Sequence, residues 1–537
     1  MTVGHFRDIE RSYFDLRWHL DPVAATQAGV TTHDERFGRY SPAALAPHLA
    51  ALTALAAALE EATTDGLDDE IDRTALLNEV RVTLRRFEHE RPQAKNPGFW
   101  LSHLFAGLHL LLQRRDRPAA ARAHAVAARL EDVAPFLEDA RLALVEPVRL
   151  FAETAIQVGP GGLALVREVT ASLSGDVPEL APRLAAAADI AVAALLQFER
   201  DLERWRDRGG DAFALGEDDF TFRLHFEHAL PDSAPELWRY GHRLKEEVES
   251  DLAARARRLD GRGRWQAVVE RLRAEHPSET ELVAAYGAEM ARARQFVIDR
   301  RLAPLPKAPL EVVRTPSFME PIIPFAAYES PGPYSADRTG WFYVTLPDRA
   351  LSAEQRERAL RDHCRFEIAG TALHEGYPGH HLHLLHAQAQ PSHVRKNLWT
   401  PLTVEGWALY CEDMMGEEGF YSSEEEMFFQ RVHLLWRAVR VLLDVGLHTR
   451  GMTFEQAVGE LLDLQFDRAH AEAEVRRYCA EPAYNLCYAV GRRELLRLRE
   501  AYQAASGRAF TLRAFHDAVL AYGGLPVTLI RWGLGLA

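Results

Sequence analysis

The sequence predicts a mostly α-helical protein, and two observations carry this prediction. Long stretches rich in Ala, Leu, Arg and Glu place apolar residues every three or four positions, and few segments show the alternation of Val, Ile and Thr that is typical of strands. The chain has 537 residues and is 47% hydrophobic, which is enough to bury a large core. We expect one or two large helical lobes rather than the roughly four domains that length alone suggests.

The first lobe is predicted over residues 1–302 as a helical scaffold. One of its helices is predicted over residues 180–208, with Pro182 in the first turn and Gly209 as the stop. The breaks between the predicted helices lie at residues 21–22, 92–97, 159–162 and 209–210.

A change of composition predicts a small β element near residues 308–347. Prolines and aromatic residues become frequent there, and two short runs, residues 310–313 and 340–346, have a β-forming composition. Helical periodicity then resumes and continues almost to the end of the chain. We assign residues 303–537 to a second lobe, which carries the metal-binding and catalytic motifs described next.

Charge and composition limit the partners and the location. The formal net charge is -15 and the pI is near 5.9, the opposite of the basic surface that nucleic-acid binding needs. No export signal is visible at the amino terminus, and the apolar run over residues 97–112, which contains His103 and His109, is expected to be a buried core helix. The four cysteines lack the spacing of a metal site and the density of a disulfide framework. These features predict a cytoplasmic protein without nucleic-acid or membrane partners.

Residues 371–383, TALHEGYPGHHLH, contain four histidines and one glutamate. Neutral imidazole is the commonest zinc ligand, and a glutamate directly after the first histidine is the general base in peptidases with the H-E-x-x-H motif. His374 and Glu375 form the first half of that motif. We expect a metal site here rather than a set of structural histidines.

The second ligand is expected at His380, with His381 as the alternative. Pro378 stands where H-E-x-x-H has its second histidine, and in an ideal helix neither His380 nor His381 could share a metal with His374. A bulge at Pro378 and Gly379 that absorbs two residues would bring His380 to the position of the second ligand.

The third ligand is expected on a helix over residues 403–414, which places Glu405 and Glu412 on one face. A catalytic zinc takes three protein ligands and keeps one position open. Glu405 is the predicted ligand, and Glu412 is expected to support a ligand histidine. The prediction is one zinc ion per chain, with iron as the alternative because iron(II) also accepts two histidines and a carboxylate.

The chain resembles the bacterial family catalogued as domain of unknown function 885. The hallmark of that family is H-E-x-x-P-G-H followed by E-G-W-A-x-Y-x-E, and both are present here, at residues 374–380 and 405–412. Further motifs that match the family are Tyr13-Phe14, Asp444-x-x-x-His448, Arg477-Tyr478, Tyr488-x-x-Gly491 and Phe515-His516-Asp517.

This resemblance implies a place among the gluzincin metallopeptidases, with a large helical zincin-like fold and a deep cleft between two helical halves. A deep cleft excludes folded proteins, so short peptides or peptide-like small molecules are the implied substrates. The resemblance also implies that His374, His380 and Glu405 bind zinc and that Glu375 activates water.

The resemblance implies three further site residues in the last third of the chain. Tyr488 follows the third ligand at a distance similar to that of the tyrosine that stabilises the transition state in converting-enzyme-like peptidases. His448 and Arg477 lie in family-like motifs, His448 as a catalytic residue and Arg477 as a cation for a substrate carboxylate.

The sequence therefore predicts a zinc-dependent hydrolase, a metallopeptidase that cleaves short peptides or peptide-like amides through zinc-activated water, with Glu375 as the general base. Two alternatives stay open. One is a specialised biosynthetic amide hydrolase or an iron-dependent enzyme, and the other is a metal-binding protein without turnover. The intact pair of His374 and Glu375 favours turnover.

Overall fold

The computed structural model describes residues 5–316, 320, 323 and 325–536. They form two compact units. The first contains residues 5–213, 316, 320 and 331–338, and the second contains residues 214–315, 323, 325–330 and 339–536. The main boundary therefore follows residue 213 and not residue 302. The predicted break at residues 209–210 lies close to this boundary, but helices of similar composition lie on both sides of it, so the sequence did not distinguish it from the other breaks. The helices that follow residue 213 pack within the second unit.

The regular elements that the structure describes in the first unit are all helices, as predicted. Its helices are α1 (Phe6–Leu20), α2 (Pro22–Ala28), α3 (Pro42–Glu61), α4 (Leu67–Arg85), α5 (Pro92–Lys95), α6 (Pro97–Gln113), α7 (Ala119–Glu131), α8 (Val133–Ala143), α9 (Arg149–Asp176) and α10 (Ala181–Arg208), with a π-helical turn at Arg86–Glu90 and a 3-10 turn at Pro178–Leu180. Helices α6 and α10 confirm the predicted core helix at residues 97–112 and the predicted helix at residues 180–208.

The predicted break at residues 159–162 is wrong, because α9 continues through it with Pro160 inside the helix. Gly162 lies so close to Phe105 that a Cβ at this position would be 2.1 Å from the phenyl ring. The close packing of α9 against α6 therefore outweighs the local preference of glycine and proline for a break.

The second unit contains the remaining helices and all three strands. They are α11 (Glu217–Phe226), α12 (Ala234–Asp260), α13 (Trp265–Leu272), α14 (Leu282–Arg300), β1 (Leu310–Arg314), β2 (Ala326–Glu329), β3 (Gly340–Val344), α15 (Ala353–Arg361), α16 (Arg365–Glu375), α17 (His380–Gln388), α18 (His393–Asn397), α19 (Pro401–Glu417), α20 (Glu424–Thr449), α21 (Phe454–Asp463), α22 (Arg468–Ala480), α23 (Cys487–Ser506), a 3-10 turn at Gly507–Ala509, α24 (Leu512–Leu520) and α25 (Val527–Gly533).

The three strands form one small sheet in the order β1-β3-β2. Strand β3 pairs in parallel with β1 and antiparallel with β2. The two predicted runs correspond to β1 and β3, whereas β2, which lacks Val and Ile, was not predicted. Phe342 and Val344 of β3 share a core cluster with Ile368 and Ala372 of α16. The sheet thus supports the helix that ends at the histidine motif.

Helix α19 is the most deeply buried long helix of the second unit, since every residue from Pro401 to Met415 is buried. It packs closely against α23 at two glycines. A Cβ on Gly406 would lie 2.5 Å from the backbone of Gly491, and a Cβ on Gly491 would lie 1.9 Å from the carbonyl oxygen of Leu402. Only glycine allows the two backbones to approach this closely.

Candidate metal centre

The helix through the histidine motif is interrupted, and the interruption brings His374 and His380 together. Helix α16 ends at Glu375 and α17 begins at His380. A Cβ on Gly379 would lie 1.9 Å from the carbonyl oxygen of His374, so the close return of the chain requires glycine here. We expected a bulge within a continuous helix, and the structure has a full break instead. The centres of the two imidazole rings are 4.7 Å apart.

Glu405 of α19 faces both imidazoles. Its Oε2 atom lies 3.4 Å from Nε2 of His374 and 3.3 Å from Nε2 of His380. Its other oxygen, Oε1, accepts a hydrogen bond of 2.6 Å from the hydroxyl of Tyr484, which fixes the orientation of the carboxylate. Three potential donor atoms from three helices therefore converge on one point.

The donor set fits a zinc ion. Ligand atoms about 2.0–2.2 Å from one ion at tetrahedral angles lie about 3.3–3.5 Å from one another, close to the distances around Glu405. Oε2 of Glu405 is buried and makes no hydrogen bond of acceptable geometry, although it is near two imidazole nitrogens. A cation bound at this point would satisfy a carboxylate oxygen that is otherwise costly to bury.

Glu375 lies at the same cluster but is less buried than Glu405. Ligand-type atoms of His374, Glu375 and His380 lie within 4.8 Å of one another. We assign Glu405 as the ligand because a single oxygen of its carboxylate approaches both Nε2 atoms and is fully enclosed. Glu375 is left as a half-buried carboxylate beside the donor set.

Glu412, which shares a face of α19 with Glu405, supports His374. The Nδ1–H group of His374 donates to Oε1 of Glu412 at 2.9 Å, which leaves Nε2 free to bind a metal. Burial opposes protonation of His374, but the nearby carboxylates of Glu405 and Glu412 outweigh it and raise the pKa of His374 to about 9 in the absence of a metal. Burial also raises the pKa of Glu405, yet His380 and His374 hold it well below its usual range. The carboxylates of Glu405 and Glu412 therefore favour a positive charge at the imidazole of His374.

The other histidines of the motif have different partners. Nδ1 of His381 lies 3.0 Å from the hydroxyl of Tyr328. Nε2–H of His383 donates to the carbonyl of Gly523 at 3.0 Å. Burial lowers the pKa of both imidazoles to about 4. The structure does not bring His381 into the donor set with His374, so His380 is the better assignment.

Tyr488 lies beside the cluster, whereas Tyr484 was missed by the sequence interpretation. The ring of Tyr488 stacks on that of His374 with 6.1 Å between centres. Burial raises the pKa of Tyr488 to about 12, so its hydroxyl keeps its proton at neutral pH. Tyr484 stands one helical turn before Tyr488, and this spacing is the local signal that could have indicated it.

His448 and Arg477 have structural partners. Nδ1 of His448 accepts from the backbone N–H of Leu215, and its Nε2–H donates to the carbonyl of Tyr478. Arg477 pairs with Glu474 at 2.8 Å and with Glu481 at 3.4 Å. These contacts hold both side chains in place, and neither residue supplies a donor atom to the cluster of His374, His380 and Glu405.

Asp444 holds the segment that carries Tyr484. Its carboxylate accepts backbone N–H groups of Ala483 at 2.9 Å and Leu486 at 3.0 Å. Burial raises the pKa of Asp444 to about 7, despite these hydrogen bonds. The resemblance to the family included Asp444 as part of a motif, and the structure gives it this positioning contact.

Comparison with known proteins identifies the family. The chain belongs to the family described as bacterial protein of unknown function (DUF885), which matches residues 22–533. No curated protein matches the chain. The membership confirms the resemblance inferred from the motifs at residues 374–380 and 405–412.

Two solved structures share the fold. The structure of "a putative lipoprotein of unknown function" from Shewanella oneidensis has a TM-score of 0.82 and 24% identity, and the match covers 99% of this chain and 100% of that one. The structure of "the putative lipoprotein" from Colwellia psychrerythraea has a TM-score of 0.85 and 17% identity, with 99% of both chains covered. Both have the mostly helical fold of this chain over its whole length.

The comparisons contradict the predicted cytoplasmic location. Both solved structures are described as putative lipoproteins. In addition, helix α3, Pro42–Glu61, is long and apolar enough to cross a membrane by length and composition, which are properties that a core helix or a signal sequence can share. The prediction of a cytoplasmic protein is therefore withdrawn.

Proposed function

We propose that this protein is a zinc-dependent hydrolase of the gluzincin type that cleaves short peptides or peptide-like amides. The observation that carries the proposal is the convergence of His374, His380 and Glu405: Oε2 of Glu405 lies from each Nε2 atom at the separation expected for two ligands of one zinc ion. The family resemblance supports a gluzincin-like fold and substrates short enough to enter a deep cleft. The same donor set accepts iron(II), so the metal is part of the test.

A bound zinc ion would polarise the substrate carbonyl and lower the pKa of water. The protein residues hold and orient the donors. Glu412 keeps the proton of His374 on Nδ1, and Tyr484 keeps Oε2 of Glu405 turned toward both imidazoles. These contacts reduce the reorganisation needed to form the site.

Glu375 is proposed as the general base. It follows His374 directly, lies within reach of the donor set and is not enclosed as Glu405 is. Its carboxylate takes a proton from the attacking water and passes it to the leaving amine. Tyr488 is proposed to donate a hydrogen bond to the developing oxyanion, because its protonated hydroxyl belongs to a ring stacked on His374.

The test is the Glu375→Gln substitution in protein reconstituted with zinc. General-base help is worth roughly 10²–10⁴-fold, or about 3–5 kcal/mol of barrier, so turnover of a peptide library followed by mass spectrometry should fall by that range. Elemental analysis should find the same metal content, close to one zinc per chain, in both proteins. Glu354→Gln, at an exposed position in α15, is the matched control and should retain turnover.

Three outcomes contradict the proposal. Loss of zinc in Glu375→Gln would make this residue a ligand and leave the general base unassigned. No cleavage of any library peptide by the zinc-loaded wild-type protein would remove peptidase activity, and preferential uptake of iron would point to the iron-dependent alternative.

A further inference from the structure

Two arginines on α20 lie against the tyrosine that flanks the candidate metal centre. Arg437 and Arg440 are three residues apart and share one face of the helix. The Cζ atom of Arg437 is 5.4 Å from the centre of the Tyr488 ring, and that of Arg440 is 4.2 Å away. Both guanidinium groups therefore meet the ring that stacks on His374.

Arg437 forms no salt bridge with any residue in the described part of the chain. Its Nε and Nη1 atoms are buried, and among the residues that the structure describes they have no hydrogen-bond partner. The face of its guanidinium lies over the Trp436 ring at 4.3 Å. Burial lowers the pKa of Arg437, and Arg440 lowers it further, while Glu412 raises it only in part. Aromatic rings stabilise the face of a guanidinium, but they leave the N–H groups at its edge unsatisfied.

Other arginines nearby have partners for their N–H groups. Arg440 donates through Nη2 to the side-chain oxygen of Asn485 at 3.2 Å, although its Nε atom is also buried without a partner. Arg477 is engaged with two carboxylates, Glu474 and Glu481. Arg437 thus differs from Arg477 in having unused N–H donors beside the metal centre.

The nearby carboxylates do not fill this role. Glu412 accepts from His374, and Glu405 accepts from Tyr484 and faces the two metal-binding imidazoles. An external carboxylate is the chemical group that best matches the planar, two-donor edge of a guanidinium. Binding it would satisfy a charge that is otherwise costly to keep buried.

The distance to the metal centre suits a peptide end. Arg437 and His374 both contact the ring of Tyr488. The centre of this ring lies 5.4 Å from Cζ of Arg437 and 6.1 Å from the centre of the His374 ring. An extended peptide advances about 3.3–3.6 Å per residue. The two contacts put Cζ of Arg437 within about 11.5 Å of the centre of the His374 ring. A carboxylate one or two residues beyond a scissile carbonyl at the metal centre can reach Arg437 across that span.

We propose that Arg437, assisted by Arg440, binds a substrate carboxylate located one or two residues beyond the scissile bond. This inference rests on the proposed function, and it narrows the substrates to peptides that carry a free carboxyl terminus or an acidic side chain at that position. Arg437 takes the role that the sequence interpretation gave to Arg477.

The test measures binding separately from turnover. Isothermal titration calorimetry of zinc-loaded Glu375→Gln protein compares acetyl-Ala-Ala-Ala as the free acid and as the carboxy-terminal amide. A second pair, the amides of acetyl-Ala-Asp-Ala and acetyl-Ala-Asn-Ala, distinguishes a side-chain carboxylate from a terminal one. We expect one carboxylate-bearing peptide to bind at least tenfold more tightly than its neutral partner. Adding Arg437→Gln should reduce that ratio to within twofold, and adding Arg437→Lys should leave an intermediate ratio because lysine keeps the charge but not the two-donor edge.

Adding Arg477→Gln in place of Arg437→Gln tests whether the carboxylate binds at Arg477. If this change abolishes the preference while Arg437→Gln leaves it intact, the carboxylate binds at Arg477 and the proposal is overturned. Equal binding of acid and neutral peptides to the parent protein, or no binding of any of the four, also overturns it. Zinc content and the thermal unfolding midpoint confirm that each variant is folded. A preference that depends on Arg437 without cleavage by the wild-type protein would instead contradict the proposed hydrolase activity and leave this site in place.

Discussion

Two pairs of histidines on the same short segment have different surroundings. His374 and His380 are 6% and 9% exposed and face Glu405, whereas His381 and His383 are fully buried and contact a tyrosine hydroxyl and a backbone carbonyl. Burial alone therefore does not indicate a metal ligand. The partner does, because a carboxylate oxygen directed at two imidazoles without hydrogen bonding to either leaves room for a cation.

The largest effect that tests this comparison of the two histidine pairs is loss of the metal when a proposed ligand is replaced. His374→Ala, His380→Ala and Glu405→Ala each remove one of the three proposed ligands. We expect each to weaken zinc binding by more than the roughly 10–100-fold that loss of a supporting residue causes. Zinc affinity measured by competition with a chelator checks this, with His386→Ala as the control because Nε2 of His386 bonds the carbonyl of Pro304. Zinc binding that survives His380→Ala but not His381→Ala would reverse the assignment.

A smaller effect is expected when the partner of a ligand is removed. Glu412→Ala leaves all three proposed ligands in place but removes the acceptor of the His374 Nδ1–H group. Zinc affinity should fall by about 10–100-fold, with the metal still bound at saturation. The same chelator competition measures it. An unchanged affinity would show that the hydrogen bond to Glu412 does not orient His374.

The smallest effect concerns the structural histidines and pH. His516, which belongs to the second unit, donates from Nδ1 to the carbonyl of Leu302 and accepts from the hydroxyl of Tyr410 at Nε2. Burial lowers its pKa to about 4, below its value in the unfolded chain, so the stability it contributes is present above about pH 6.5 and is lost as the pH falls toward 4.

In metal-free protein, His516→Gln should therefore reduce the dependence of the unfolding free energy on pH. Each such histidine adds a slope of up to about 1.4 kcal/mol per pH unit between its two pKa values, and glutamine, which can make both hydrogen bonds, does not titrate. Urea unfolding at pH 7 and pH 5.5 measures the difference. Parallel slopes for the wild type and the variant would mean that the pKa of His516 is not lowered in the folded protein.

Much of the site followed from the sequence because its signals are local. The histidine motif and the spacing of Glu405 and Glu412 on one helical face indicated which side chains could meet. Gly379 indicated that the helix must deform. The sequence predicted a bulge within one helix, and the structure has a break between two helices. These features depend on residues within a few turns of one another.

The contacts that the sequence did not indicate join distant segments. Tyr484 reaches Glu405 across 79 positions of the chain. Arg437 was overlooked although a local signal exists: no acidic residue stands three or four positions before or after it, whereas Arg477 has Glu474 and Glu481 at those positions. The boundary after residue 213 lies next to the predicted break at residues 209–210, but helices of similar composition on both sides gave no sign that this break separates two units.

The contact between Gly406 and Gly491 has a consequence for how this family can diverge. Glu405 precedes one of these glycines by one residue, and Tyr488 precedes the other by three, so the spacing between them is set where two backbones touch. A single methyl group at either glycine would push the two helices apart and change that spacing, so we expect family members that keep this geometry to have glycine at both positions.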